Sequence, residues 1–119
     1  MGYPIVHFEL PIDDAERATA FYAQALGWKI TKWEGPMPYW MISTGSEIDA
    51  PLGGGLALRQ DSDAAPSITV GVEDMQQAVS RILAAGGTIK MEPTPMPGVG
   101  IVAEFVDSEG NTLGLVQES

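Results

Sequence analysis

His7-Phe-Glu-Leu-Pro-Ile-Asp-Asp14 returns 60 positions later as Ser67-Ile-Thr-Val-Gly-Val-Glu-Asp74. Leu10 falls on Val70, Ile12 on Val72 and Asp14 on Asp74; further along, Ala18 falls on Ala78, Ala25 on Ala85 and Gly27 on Gly87. Such a repeat fixes which positions are structurally equivalent, so each half controls the reading of the other. At 119 residues the chain has room for one domain with a real core and is too short for two independent ones. The halves are therefore expected to be modules of a single domain, 1–119: module one at about 4–60, a linker at about 61–66 and module two at about 67–117.

The repeated stretch decides the local structure. Phe8, Leu10 and Ile12 alternate with His7, Glu9 and Pro11, the period of a half-buried strand. Asp13 or Asp14 then caps a helix whose Ala18, Phe21, Tyr22, Ala25 and Leu26 form one apolar stripe, closed by Gly27. In the second half Ile68, Val70 and Val72 alternate with Ser67, Thr69 and Gly71. Asp74 and Gln77 have capping-box spacing, Met75, Ala78, Val79, Ile82 and Leu83 make the stripe, and Gly86-Gly87 close it. Both helices belong on the Phe8/Ile68 side, the only face that offers an apolar partner.

Three short strands are expected after each helix: Trp28–Trp33, Tyr39–Thr44 and Leu56–Arg59, then Thr88–Met91, Gly100–Val106 and Thr112–Gln117. Gly53-Gly54-Gly55 reads as a flexible turn, and the proline-rich stretches 36–38 and 93–97 as stiff loops outside any strand. The result is an α+β fold of two tandem βαβββ modules.

Composition removes several function classes. Six Lys and Arg against 16 Asp and Glu give a net charge of −10, which argues against binding nucleic acid, where affinity comes from cationic side chains on phosphates. A neutral or cationic small partner suits the charge better. Cysteine is absent, so disulfides and thiolate metal sites are excluded. No apolar run approaches the roughly 18 residues of a membrane span, and no signal-like start is present; a cytoplasmic location without membrane contact is expected.

The helix start Asp13-Asp-Ala-Glu-Arg-Ala-Thr-Ala-Phe-Tyr22, its end Leu26-Gly27-Trp28, and the closing Phe105-Val-Asp-Ser-Glu-Gly-Asn-Thr-Leu-Gly-Leu115 resemble the vicinal oxygen chelate superfamily, which includes glyoxalase I, bleomycin-resistance proteins and extradiol dioxygenases. The subgroup most resembled is the lactoylglutathione-lyase-related proteins of unassigned function. The resemblance implies a curled mixed sheet around a groove with the helices outside, and a homodimer. It also implies a metal position on the first and last strands of each module. Carried over, those positions are His7, Ser67 and, pairing Leu56-Ala57-Leu58 with Leu113-Gly114-Leu115, Ala57 and Gly114. Only His7 is a strong ligand, and it is the one histidine in the chain. Such a metal needs three or four converging donors, so neither a metal nor another cofactor is expected.

Without a metal, His7 and Glu9, two apart on one strand with side-chain roots roughly 6 to 7 Å apart, can serve as base and orienting partner or as polar ligand contacts. Trp33, Tyr39, Trp40 and Met41 crowd one hairpin. Tyr39 and Met41 share one strand face and Trp40 and Ile42 the other, and the sequence leaves open which face meets a ligand. Arg59 can meet an anionic group at the rim or join a surface acid, and Ser67 takes the place of His7 in module two. Glu104, in an apolar run, reads as edge-exposed. Three classes stay open: a metal-free small-molecule binder, a lyase, isomerase or epimerase using His7 and Glu9, and a dimeric interaction protein with an unused groove.

Overall fold

A computed structural model describes residues 2–45 and 52–119. Two helices and eight strands follow the order β1(Ile5–Ile12), α1(Ala15–Leu26), β2(Lys29–Lys32), β3(Tyr39–Ser43), β4(Gly54–Leu58), β5(Ser67–Gly71), α2(Met75–Ala84), β6(Thr88–Met96), β7(Gly100–Val106) and β8(Thr112–Glu118). This is the expected α+β arrangement, βαβββ twice over. No described helix is long and apolar enough to cross a membrane. The chain divides into two compact units, one of His7–Pro66 and one in which Ser67–Ser119 gather the first residues through Val6.

In the unit His7–Pro66 the strands run in the order β2-β3-β4-β1. β1 and β4 are parallel, with Glu9 opposite Gly55 and Leu10 opposite Leu56, and β4-β3-β2 continue antiparallel. Asp14 caps α1 by accepting the Arg17 N–H at 3.0 Å, and Gly27 ends it with φ 70°, a left-handed geometry that favours glycine. That turn delivers Trp28 back onto the helix, its ring stacked on Tyr22 with centroids 5.1 Å apart. Ile12, Ile42 and Leu56 form the buried centre, joined by Phe8, Leu10, Ile30, Trp40 and Leu58 from the sheet and Ala18 and Tyr22 from α1. The helix thus covers the Phe8 face, as the alternation requires.

The second unit repeats the plan in the order β5-β8-β7-β6, with β5 and β8 parallel, Thr69 opposite Gly114 and Val70 opposite Leu115. Asp74 caps α2 through the Gln77 N–H at 3.1 Å. The helix closes at Ala85, one residue before Gly86 with φ 101°. Val72, Met75, Ala78, Ala103 and Leu115 form its buried centre. The Pro4 carbonyl accepts the Gly71 N–H at 2.8 Å, and the Arg81 guanidinium lies 4.7 Å from the Tyr3 ring centroid, which fastens the first residues to this unit.

Three expectations are corrected. β6 runs through Pro93 and Pro95 to Met96, instead of stopping at Met91. It is the outermost strand in its order, its pairing with β7 shifts register between Ile89 and Thr94, and an edge strand can spare donors from one side. Gly54 and Gly55 are buried strand residues, not part of a flexible turn. Glu104 is not at an edge, because β7 lies between β8 and β6; it sits half-buried opposite Gly114 and Met91.

Candidate functional site

The two strand glycines of β4 are seats for aromatic rings. A Cβ on Gly54 would overlap the Phe8 ring on the helix side, and a Cβ on Gly55 would overlap the Tyr39 ring and hydroxyl on the opposite side. The absence of side chains at both positions lets an aromatic ring lie flat against each face of one strand. Tyr39 itself stands opposite Ala57 and leans along the sheet to reach Gly55.

Tyr39 connects the polar residues of β1. Its hydroxyl lies 2.7 Å from His7 Nε2, and Glu9 is near enough to raise its pKa. The His7 and Tyr39 rings stack at 6.3 Å with an interplanar angle of 23°. Behind them Trp33 meets Tyr39 edge-on at 6.1 Å and lies across Gly35, where a Cβ would overlap its indole. The order along this face is therefore Trp33, Tyr39, His7, with Glu9 beside the phenol and Met41, 41% exposed, opposite Gly55.

Burial sets the protonation states. Desolvation lowers the His7 pKa below the ordinary 6.5, so the imidazole is neutral at neutral pH. Desolvation, the Glu9 charge and the hydrogen bond to Glu9 all raise the Tyr39 pKa, so the phenol keeps its proton. Tyr39 is a hydrogen-bonding partner of His7 and not a base.

The sequence candidates separate on this geometry. His7, Glu9, Trp33, Tyr39 and Met41 share the face away from α1. Trp40, named with them, packs with Ile42 and Leu56 on the helix side, because alternation turns it away from Tyr39. Arg59 is occupied: its Nε bonds the Asp13 carboxylate at 3.1 Å and Nη1 donates to the Ala64 carbonyl at 2.8 Å. Ser67 begins β5 in the other unit, on the same strand face as Thr69. In the first unit a concavity of about 300 Å³ lies at the start of α1 beside Arg59, Arg17, Phe21 and Tyr22, and in the second unit one of about 610 Å³ lies at the start of α2 beside Met75, Pro93, Pro95 and Ile101; neither is lined by His7. The chemistry is concentrated at His7.

Strand register also revises one carried-over position. Glu9 faces Gly55 and its repeat mate Thr69 faces Gly114, so Gly55, not Ala57, is the counterpart of Gly114. The sequence pairing slipped by two residues because the triple glycine hid where β4 begins. Gly55 and Gly114 offer no side-chain donor, His7 Nε2 is bonded to Tyr39, and no group of three His, Asp or Glu gathers among the described residues. This donor set does not fit a divalent metal held on first and last strands.

Fold and sequence together define the class: a model of the glyoxalase/bleomycin resistance protein/dioxygenase superfamily matches residues 4–115, and the chain belongs to that superfamily. Among its relatives is a probable lactoylglutathione lyase of Vibrio cholerae, 28% identical over 98% of this chain and 91% of the relative. The fold is also that of methylmalonyl-CoA epimerase from Mycobacterium tuberculosis, with TM-score 0.74 and 14% identity over 97% of this chain and 87% of that one. A Streptomyces coelicolor methylmalonyl-CoA epimerase in complex with 2-nitronate-propionyl-CoA matches with TM-score 0.69 and 18% identity over 96% of each chain.

Proposed function

We propose that this protein binds a small organic molecule without a resident metal, on the sheet face that carries His7, Glu9, Trp33, Tyr39 and Met41. The observation that carries this reading is the replacement of metal donors by Gly55 and the Tyr39 phenol that rests on it. A face with two aromatic rings, a thioether and a few fixed polar atoms has the composition of a small-ligand site. The net charge of −10 favours neutral or cationic molecules over anions.

A thermal-shift panel tests the reading. Stabilisation by neutral or cationic aromatic compounds, retained in the presence of a chelator and lost in Trp33→Ala, is the expected result. Stabilisation by nickel, zinc or iron at stoichiometric ratio, with organic compounds inactive, overturns it.

One observation favours a second reading, an enzyme of lyase, isomerase or epimerase type: the Tyr39 hydroxyl is bonded to His7 and feels the charge of Glu9, the two groups a proton transfer would use. The relatives' names as lactoylglutathione lyase and methylmalonyl-CoA epimerase point the same way. Deuterium uptake from solvent by a bound carbon acid, abolished in His7→Gln and in Glu9→Gln, would establish it over simple binding.

A further inference from the structure

Strand pairing lays the same four residue types across the sheet of each unit, on the face turned away from its helix. In the unit His7–Pro66 the row is Glu9, Gly55, Met41 and Thr31; in the other unit it is Thr69, Gly114, Glu104 and Met91. Each row has a glycine between its carboxylate and a neighbouring side chain. The space over Gly55 is taken by the Tyr39 ring. No ring lies over Gly114: the three atoms nearest a Cβ there all belong to Thr69, with Oγ1 foremost at 3.0 Å. The Thr69 hydroxyl therefore leans over the glycine that separates it from Glu104.

Glu104 stands on β7 between β8 and β6 and is half-buried. Alternation sends Ala103 and Phe105 into the core under α2, which leaves Glu104 on the other face. Neither its carboxylate nor the Thr69 hydroxyl has a hydrogen bond or ion pair among the described residues. A carboxylate partly withdrawn from water, with no counter-charge, attracts a cation more strongly than one on open surface. Thr69 and Glu104 are two strand spacings apart, roughly 9 to 10 Å between backbones, and the glycine between them puts nothing in the way. One carboxylate and one hydroxyl are too few oxygens for calcium or magnesium, which take about six or more. An ammonium has three N–H donors, and Glu104 with Thr69 offers three oxygens to accept them.

From this row we infer that Glu104, Thr69 and Gly114 form a seat for the primary ammonium of a small organic amine. Met91, opposite Glu104 and 36% exposed, is the apolar contact for the carbon body of the amine. The net charge of −10 favours the approach of such a molecule. The seat belongs to the second unit and rests on none of the reading given for the His7 face.

The test titrates benzylamine, a cation at pH 7.5, and benzyl alcohol, a neutral molecule of nearly the same shape, into nitrogen-15-labelled full-length protein. Benzylamine is expected to bind about tenfold more tightly, the scale of one charge-assisted hydrogen bond, with the largest amide shifts at Thr69, Glu104 and Gly114. Glu104→Gln is expected to abolish the preference, whereas Glu92→Gln, at an exposed carboxylate on β6, leaves it in place. Gly114→Ala puts a methyl group into the seat and is expected to weaken benzylamine by about fivefold or more. Equal binding of the two probes, no saturable binding of benzylamine, or a preference that survives Glu104→Gln or Gly114→Ala overturns the inference. Largest shifts at Trp33 and Met41 also overturn it, by placing the amine on the His7 face, and they support the binding role proposed for that face.

Discussion

Leu56 and Leu115 hold the same place in the two units: each follows a glycine, Gly55 opposite Glu9 and Gly114 opposite its repeat mate Thr69, and each is almost fully buried, at 0% and 2% exposure. Leu56 stands opposite Leu10 and Leu115 opposite Val70. Truncating either to alanine removes buried methyl groups and leaves a cavity, at a cost of about 2–5 kcal/mol. Because the surroundings are repeated, the two costs should agree within about 1 kcal/mol. Urea unfolding of Leu56→Ala and Leu115→Ala measures both, and a difference of several kcal/mol would show that the modules do not share an equivalent core.

Gly55→Ala should be far more disruptive than its mate Gly114→Ala. At Gly114 the nearest atom to a new Cβ is Thr69 Oγ1 at 3.0 Å, the end of a small side chain, whereas at Gly55 it is the whole Tyr39 phenol. Overpacking of this kind costs about 1–3 kcal/mol. In a Tyr39→Ala background most of the Gly55→Ala penalty should vanish, and a double-mutant cycle by denaturant unfolding checks the coupling.

His7 makes stability depend on pH in a stated direction. Burial places its folded pKa below the unfolded value of 6.5, so between the two values the unfolded chain binds more protons than the folded one. Stability therefore rises with pH across that interval and is lost as pH falls from 6.5 through the folded pKa. His7→Gln removes the only imidazole and should flatten this part of the curve. Chemical denaturation of both proteins at half-unit steps from pH 5 to 8 reads the difference; identical slopes would refute the burial effect.

Asp14 and Asp74 are equivalent helix caps, each accepting the N–H three residues on. Replacing either with alanine should cost about 0.5–2 kcal/mol. Asp13 forms an exposed ion pair with Arg59, and Asp13→Ala should cost under about 1 kcal/mol. Thermal unfolding of the three variants ranks them, with Asp13→Ala the mildest.

The repeated strand and helix were legible because period, cap and stop signals coincide in them: Leu10 and Ile12, Asp14 and Gly27 all point to one structure. Register is not legible where glycine carries no pattern, so the sequence alone does not place the start of β4 at Gly54 and reads Gly55 as turn. Pro93 and Pro95 hid the length of β6, since their cost depends on whether a strand has neighbours on both sides. Of the candidate site, the polar alternation of His7 and Glu9 was visible, as was the aromatic crowd in β3. The face that Tyr39 chooses was not, because Tyr39–Met41 and Trp40–Ile42 are equally apolar pairs. The pairing of β3 with β4 decides it, and that pairing is long-range.

The proline-bearing strand β6 has one more consequence. A nine-residue outer strand is an open template on which other chains can polymerise, yet this one carries two imino acids and the charges of Lys90 and Glu92 within six consecutive positions. A second polypeptide laid alongside would meet missing amides and hydrated ionic groups in place of a regular ladder. The chain can thus keep an extended rim at high concentration in solution while resisting fibre growth from it.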